Sequence, residues 1–170
     1  MAKLEIFIDY TCPYCKAGFA YFKELLPQFP TLEYEIMPIE AHPRNEEPEH
    51  RPYVDLAVQA AYFVKAHGGD EYKFAELMFA LTSRSRDSME SVDALADTVA
   101  QLGYDRAEIR AALVNGTYLR EQLSANDYAY ETQNVWAVPT FVCADKRVDA
   151  AAGVGVTKEQ LLSLIREVSE

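Results

Sequence analysis

Polar and apolar residues alternate from Lys3 to Asp9, with Leu4, Ile6 and Ile8 on one face, the period of a strand. Tyr10-Thr11 leads into Cys12-Pro13-Tyr14-Cys15, and Cys15, Phe19, Phe22 and Leu26 then fall on one helical stripe. Pro13 suits the first turn of that helix, where a missing N–H costs nothing, and Pro27 and Pro30 end it. Leu32 to Ile39 reads as a second strand. Ala41 to Pro52 is a polar connection punctuated by proline, after which the periodicity is helical throughout. Helices are expected over Tyr53 to Ala66, Glu71 to Thr82, a segment carrying Val92 to Leu102, one carrying Ile109 and Leu113, and Thr117 to Thr132. Asp87 with Glu90, and Asp105 with Glu108, have the spacing of capping boxes for two of them. Strand signals return at Pro139 to Cys143. A turn at Ala144-Asp145-Lys146 and a weaker strand over Arg147 to Ala150 follow. Thr157 and Gln160 cap a final helix that buries Leu161, Leu164, Ile165 and Val168.

This order predicts an α/β fold: βαβ, an all-helical insert, then ββα. One discontinuous domain spans 1–52 and 134–170, and the helical insert spans 53–133. At 170 residues the chain can bury a proper core. Its formal net charge of −11 argues against nucleic acid, whose phosphates demand a basic surface, and against docking on anionic lipid. No run approaches the roughly 20 apolar residues of a membrane helix. Met1-Ala2-Lys3 runs directly into the first strand, with no room for a secretory apolar region, so a native start and a cytoplasmic location are expected.

The three cysteines, Cys12, Cys15 and Cys143, are too few for a secreted disulfide scaffold. A close Cys-x-x-Cys at a helix start points to redox chemistry or to half of a metal site. Exchange requires a thiolate, and the unpaired N–H groups and dipole at a helix N-terminus favour that negative charge. Cys12 is therefore the expected nucleophile. Cys15, one turn on and on the apolar stripe, is the buried partner that resolves the mixed disulfide. The metal alternative wants a second pair or spaced histidines, and His42, His50 and His67 follow no ligand spacing. No metal and no cofactor beyond a Cys12–Cys15 disulfide is expected.

Three features together resemble the DsbA-like branch of the thioredoxin superfamily. A strand leads into Cys12-Pro13-Tyr14-Cys15, a helical insert follows the second strand, and Asn134-Val135-Trp136-Ala137-Val138-Pro139-Thr140-Phe141-Val142 is similar to the family's cis-proline segment. The resemblance implies a thioredoxin-like fold and thiol–disulfide exchange on protein or small-thiol substrates, with a separate redox partner. It implies a cis Pro139 against the cysteine pair, with Val138 offering backbone groups to a substrate peptide. On composition alone, a trans proline opening an edge strand is the ordinary state. Exported members resemble Cys-Pro-His-Cys, whereas Tyr14 here brings no positive charge; Pro13 and Tyr14 are thus read as tuning a moderately oxidising couple. Those members also have a buried acid in the first strand where this chain has Ile6. The chain is more similar to cytoplasmic FrnE-like oxidoreductases, and resembles in architecture the kappa-class glutathione transferases and chromene-carboxylate isomerases. A glutathione-dependent isomerase or transferase is the alternative, against which the intact cysteine pair counts.

Among the remaining residues, Cys143 is expected to be a buried free thiol. Trp136 either rims the cleft or packs between insert and sheet. Tyr62, Phe63, Phe74 and Phe79 read as core. Asp9 is expected to be an exposed strand end rather than a redox-tuning carboxylate near Cys15, and Glu46, Glu47 and Glu49 a solvated loop.

Overall fold

The computed structural model describes residues 2–44 and 51–170; Glu46, Glu47, Glu49 and His50 lie outside the described residues. Strand β1 (Leu4–Ile8) leads into helix α1 (Pro13–Leu25), and β2 (Tyr34–Pro38) follows. Five α-helices then intervene among the described residues: α2 (Asp55–Ala66), α3 (Glu71–Arg84), α4 (Val92–Ala100), α5 (Arg106–Asn115) and α6 (Leu119–Asp127). The chain closes with β3 (Thr140–Cys143), β4 (Lys146–Asp149) and α7 (Lys158–Ser169). The sheet order is β2-β1-β3-β4. β1 runs parallel to β2, with Leu4 opposite Tyr34, and antiparallel to β3, with Phe7 opposite Thr140. This is the expected α/β, thioredoxin-like βαβ…ββα arrangement with helices inserted between its second and third strands.

β1 is central, and both of its faces are covered, as a strand between two partners in an α/β layer requires. Leu4, Ile6 and Ile8 join the main core with α1, α2, α3 and α7. Phe7 faces the other way, into a smaller cluster with Ile39, Ala125, Ala129, Val135 and Val142. The alternation seen in the sequence therefore marks two buried faces. Glu5, on the second face, accepts hydrogen bonds from the Tyr128 hydroxyl (2.5 Å) and Gln133 Nε2 (3.0 Å).

An aromatic joint fastens the inserted helices to β1 and α1. Tyr10, 1% exposed, meets Phe74 and Phe79 edge-on, each with 5.7 Å between ring centroids. Phe19 packs on Phe79 (5.4 Å) and Tyr72 (5.1 Å). One buried aromatic pair contributes about 0.5–1.5 kcal/mol beyond its area, so the cluster fixes α3 firmly against the start of α1.

Several local expectations need correction. α1 buries Leu25 rather than Leu26, because the helix stops there and a 3₁₀ turn containing Pro27 begins. Residues 86–90 form a separate 3₁₀ turn, so Asp87 and Glu90 are no capping box; Ser91, extended at φ −102° and ψ 111°, caps α4 by accepting from Ala94 N–H. Asp105 does cap α5, and Thr157 with Gln160 forms a full capping box on α7. α2 starts at Asp55 rather than Tyr53, and the long helix expected to Thr132 is regular only to Asp127, then widens into a π turn over Tyr128–Thr132.

Candidate active site

The first strand ends at Ile8, and one acidic residue shapes the loop beyond it. Asp9 is 3% exposed, not the exposed strand end expected. Its carboxylate accepts from Thr11 N–H (2.8 Å), the Thr11 hydroxyl (2.6 Å) and Ala41 N–H (2.9 Å). Its carbonyl accepts from Cys12 N–H (3.1 Å), and its own N–H points at Cys15 Sγ (3.4 Å). The burial penalty of a carboxylate is met by these donors. Asp9 thereby holds the turn that delivers Cys12 to the start of α1.

Cys12 is the N-cap of α1, extended at φ −84° and ψ 120°, with Pro13 in the first turn as expected. Its thiol is half-buried and its pKa is lowered to about 7. The hydrogen bond from the Cys15 thiol lowers it most, and the N–H groups of Cys15 and Tyr14 add to this; burial and the Asp9 charge oppose. Cys15, one turn later, is fully buried, and its pKa is raised well above the ordinary value by that burial and by Cys12. Two thiols of one motif are thus held in opposite states at neutral pH: one poised to ionise, one kept protonated.

The proline segment faces this pair. The Val138–Pro139 bond is cis, as is Arg51–Pro52. Cys12 Sγ lies 3.8 Å from the Val138 carbonyl oxygen. The Pro139 ring packs on α1 at Gly18, where a Cβ would stand 2.9 Å from Pro139 Cγ. Pro139 O accepts from Ala150 N–H (3.0 Å), and Thr140 Oγ1 donates to Ala137 O (2.7 Å). Arg147 ties the preceding residues to β4 through Gln133 O (2.8 Å) and Asp149 (2.7 Å).

Cys12, Pro13, Tyr14, Val138 and Trp136 line one cleft of about 460 Å³. Trp136 is 73% exposed at its rim rather than packed between layers. Tyr14 leans on the backbone of Gly155, which sits at φ 78°; a Cβ there would come within 3.1 Å of the Tyr14 side chain. Cys143 stands apart: β3 is antiparallel to β1, so its last residue lies by the start of β1, and its thiol points to Ala2 O (3.4 Å). Burial raises its pKa. Sequence reasoning missed Thr11, His42, Arg51 and Arg86, which also line the cleft. Arg86 donates to Thr11 O (2.7 Å) across 75 residues, a contact with no periodic signal. Among the described residues, no three His, Cys, Asp or Glu side chains converge as a metal site requires. No helix among them is long and apolar enough to cross a membrane.

Comparison with known proteins places this geometry. The uncharacterized protein YwbO of Bacillus subtilis (strain 168) is 27% identical over 194 aligned positions, covering 93% of this chain and 94% of that protein. The probable DsbA oxidoreductase SCO1869 of Streptomyces coelicolor superposes with a TM-score of 0.77 at 16% identity, over 98% of this chain and 89% of its own. A 2-hydroxychromene-2-carboxylate isomerase superposes with a TM-score of 0.73 at 13% identity, over 97% and 93%. At such identities the likeness is one of fold, and it spans two chemistries, so chemistry has to be read from the site. The sequence profile of the DSBA-like thioredoxin domain matches residues 3–163, nearly the whole chain, and the chain belongs to that family.

Proposed function

We propose that the protein is a thiol–disulfide oxidoreductase that cycles Cys12 and Cys15 between dithiol and disulfide, acting on protein or small-molecule disulfides. The observation that carries this reading is the split of the two thiols. Cys12 is accessible with its pKa lowered to about 7, and Cys15 is buried with its pKa raised. The Cys12 thiolate attacks one sulfur of a substrate disulfide; the substrate S–S bond breaks, a Cys12–substrate bond forms, and the other substrate sulfur leaves as a thiolate that takes up a proton. Cys15 then loses its proton and attacks Cys12 Sγ. The mixed disulfide breaks, a Cys12–Cys15 bond forms, and the substrate leaves with both sulfurs reduced. The reverse sequence oxidises a dithiol. The free N–H groups at the start of α1 stabilise the Cys12 thiolate at its formation and at its return as leaving group.

Val138, with its carbonyl 3.8 Å from Cys12 Sγ, is the proposed backbone contact for an extended substrate, held in place by Pro139. Pro13 and Tyr14 are the proposed tuning residues between the cysteines. The intact dithiol favours this reading over a glutathione-dependent isomerase, whose chemistry needs no second cysteine. Trapping tests it directly. Cys15→Ser, mixed with a disulfide-bonded substrate, should accumulate a stable Cys12 adduct seen by mass spectrometry, and Cys12→Ser should accumulate none. Equal adduct on both variants would defeat the assignment.

A further inference from the structure

The aromatic joint sets the end of α3 beside the start of α1 and leaves a second pocket, of about 200 Å³, on the α3 side of Cys12. Tyr10 and Phe79 give it an apolar floor, and Thr82 and Ser83 line its wall. Its charged groups are Lys16 and Arg86, and no carboxylate lines it. Lys16 Nζ donates to the Ser83 hydroxyl (2.5 Å), and Arg86 donates to Thr11 O (2.7 Å). Among the described residues, neither cation is paired with a carboxylate. Arg51, which lines the main cleft and not this pocket, is paired: Glu90 accepts from it at 2.9 Å. The nearest acid to the motif, Asp9, is buried and already accepts three hydrogen bonds.

In a chain of net charge −11, two cations without a carboxylate partner in one pocket that Cys12 also borders stand out. Such a chain repels an anionic substrate at long range, and a Cys12 thiolate repels it at contact, unless local cations reverse the field. We propose that this pocket is a subsite for a carboxylate carried within a few bonds of the substrate's disulfide, with Lys16 and Arg86 as specificity-determining residues. The proposal rests on Cys12 as the reacting thiol. Cys12 borders both cavities, so a disulfide over it places one arm along Val138 and the other between Lys16 and Arg86. The pocket of about 200 Å³ has room for several waters. That admits a carboxymethyl or carboxyethyl arm and not a folded chain. Arg86 has donors to spare beyond the one on Thr11 O, and Lys16 can turn from Ser83, so each can add a charge-assisted bond to an anion.

The test compares alkylation of Cys12 by iodoacetate and by iodoacetamide. Both report the same thiolate, so their rate ratio cancels its pKa and isolates the pull on a carboxylate. Relative to a small free thiol, the reduced protein should favour iodoacetate, and Lys16→Gln/Arg86→Gln should lower the ratio about tenfold, as expected for losing charge-assisted bonds to an anion. The unmodified protein supplies a second reading that no misfolded variant can confuse: in 1 M salt, where screening acts over about 3 Å, the ratio should fall toward that of the free thiol. A ratio insensitive to both changes overturns the proposal. Reduction of 3,3′-dithiodipropionate, hydroxyethyl disulfide and cystamine then ranks anion, neutral and cation, and a disulfide peptide with Glu beside its cysteine, set against the Gln form, tells whether the carboxylate belongs to a small molecule or to a polypeptide. If no disulfide is turned over but the alkylation ratio still responds, the oxidoreductase reading fails and the anion subsite stands.

Discussion

At the scale of single residues, the site depends on which neighbour sets the Cys12 thiolate. The hydrogen bond from the Cys15 thiol outweighs the backbone N–H groups in lowering its pKa. Cys15→Ser keeps a donor there and Cys15→Ala removes it. Alkylation of Cys12 followed against pH should therefore show a midpoint near 7 in Cys15→Ser, and one closer to the ~8.5 of a free thiol in Cys15→Ala. The sign is fixed: reactivity rises with pH through the pKa, so at pH 6 the Ser variant should be the faster. Identical profiles would place the main stabilisation in the helix start instead. Tyr14 offers the thiolate no positive charge, and a couple in the region of about −200 to −230 mV is expected. Tyr14→His should raise the potential, because His⁺ stabilises thiolate and with it the reduced form; equilibration in glutathione buffers checks this.

At the scale of elements, two contacts hold the loops of the site to their frame. Gly18 lets α1 pass close to Pro139. Alanine in a helix interior usually gains up to about 1 kcal/mol over glycine, whereas forcing an extra carbon into a packed contact costs about 1–3 kcal/mol. Crowding wins here, because a Cβ would stand 2.9 Å from the Pro139 ring. Gly18→Ala should lower the melting temperature rather than raise it, as calorimetry would show. Glu40, buried at the end of β2, accepts from Gln122 Nε2 (2.6 Å) and Asn126 Nδ2 (2.7 Å) and so ties the sheet to α6. Its pKa is raised by burial. Glu40→Ala strands two buried amide donors at about 1–3 kcal/mol each. A loss of about 2–6 kcal/mol is expected in urea unfolding at neutral pH. An unchanged midpoint would mean that water replaces the carboxylate.

At the scale of the whole molecule, what was legible in the sequence was local. Strand alternation at Leu4, Ile6 and Ile8, the turn-length spacing of Cys12 and Cys15, and the capping pair Thr157 and Gln160 each depend on residues a few positions apart, and each appears as expected. What escaped depends on distant parts of the chain. Asp9 is buried because Ala41, 32 residues on, donates to it; Arg86 reaches Thr11 across 75 residues; Glu40 meets Asn126 across 86. No periodicity announces such contacts, and a polar residue beside a strand end reads as solvated until its partners are known. The proline segment was legible only through family resemblance.

In the proposed cycle Cys12 and Cys15, and not Cys143, form one two-electron couple. A redox titration of the protein in glutathione buffers, quenched with alkylating reagent and read by mass spectrometry, decides whether they do. A single transition is expected, in which Cys12 and Cys15 lose and gain two labels together. That transition should be absent from Cys12→Ser and Cys15→Ser and unaltered in Cys143→Ala. A pair that stays fully alkylated across the whole range, or a transition that moves with Cys143, would contradict it.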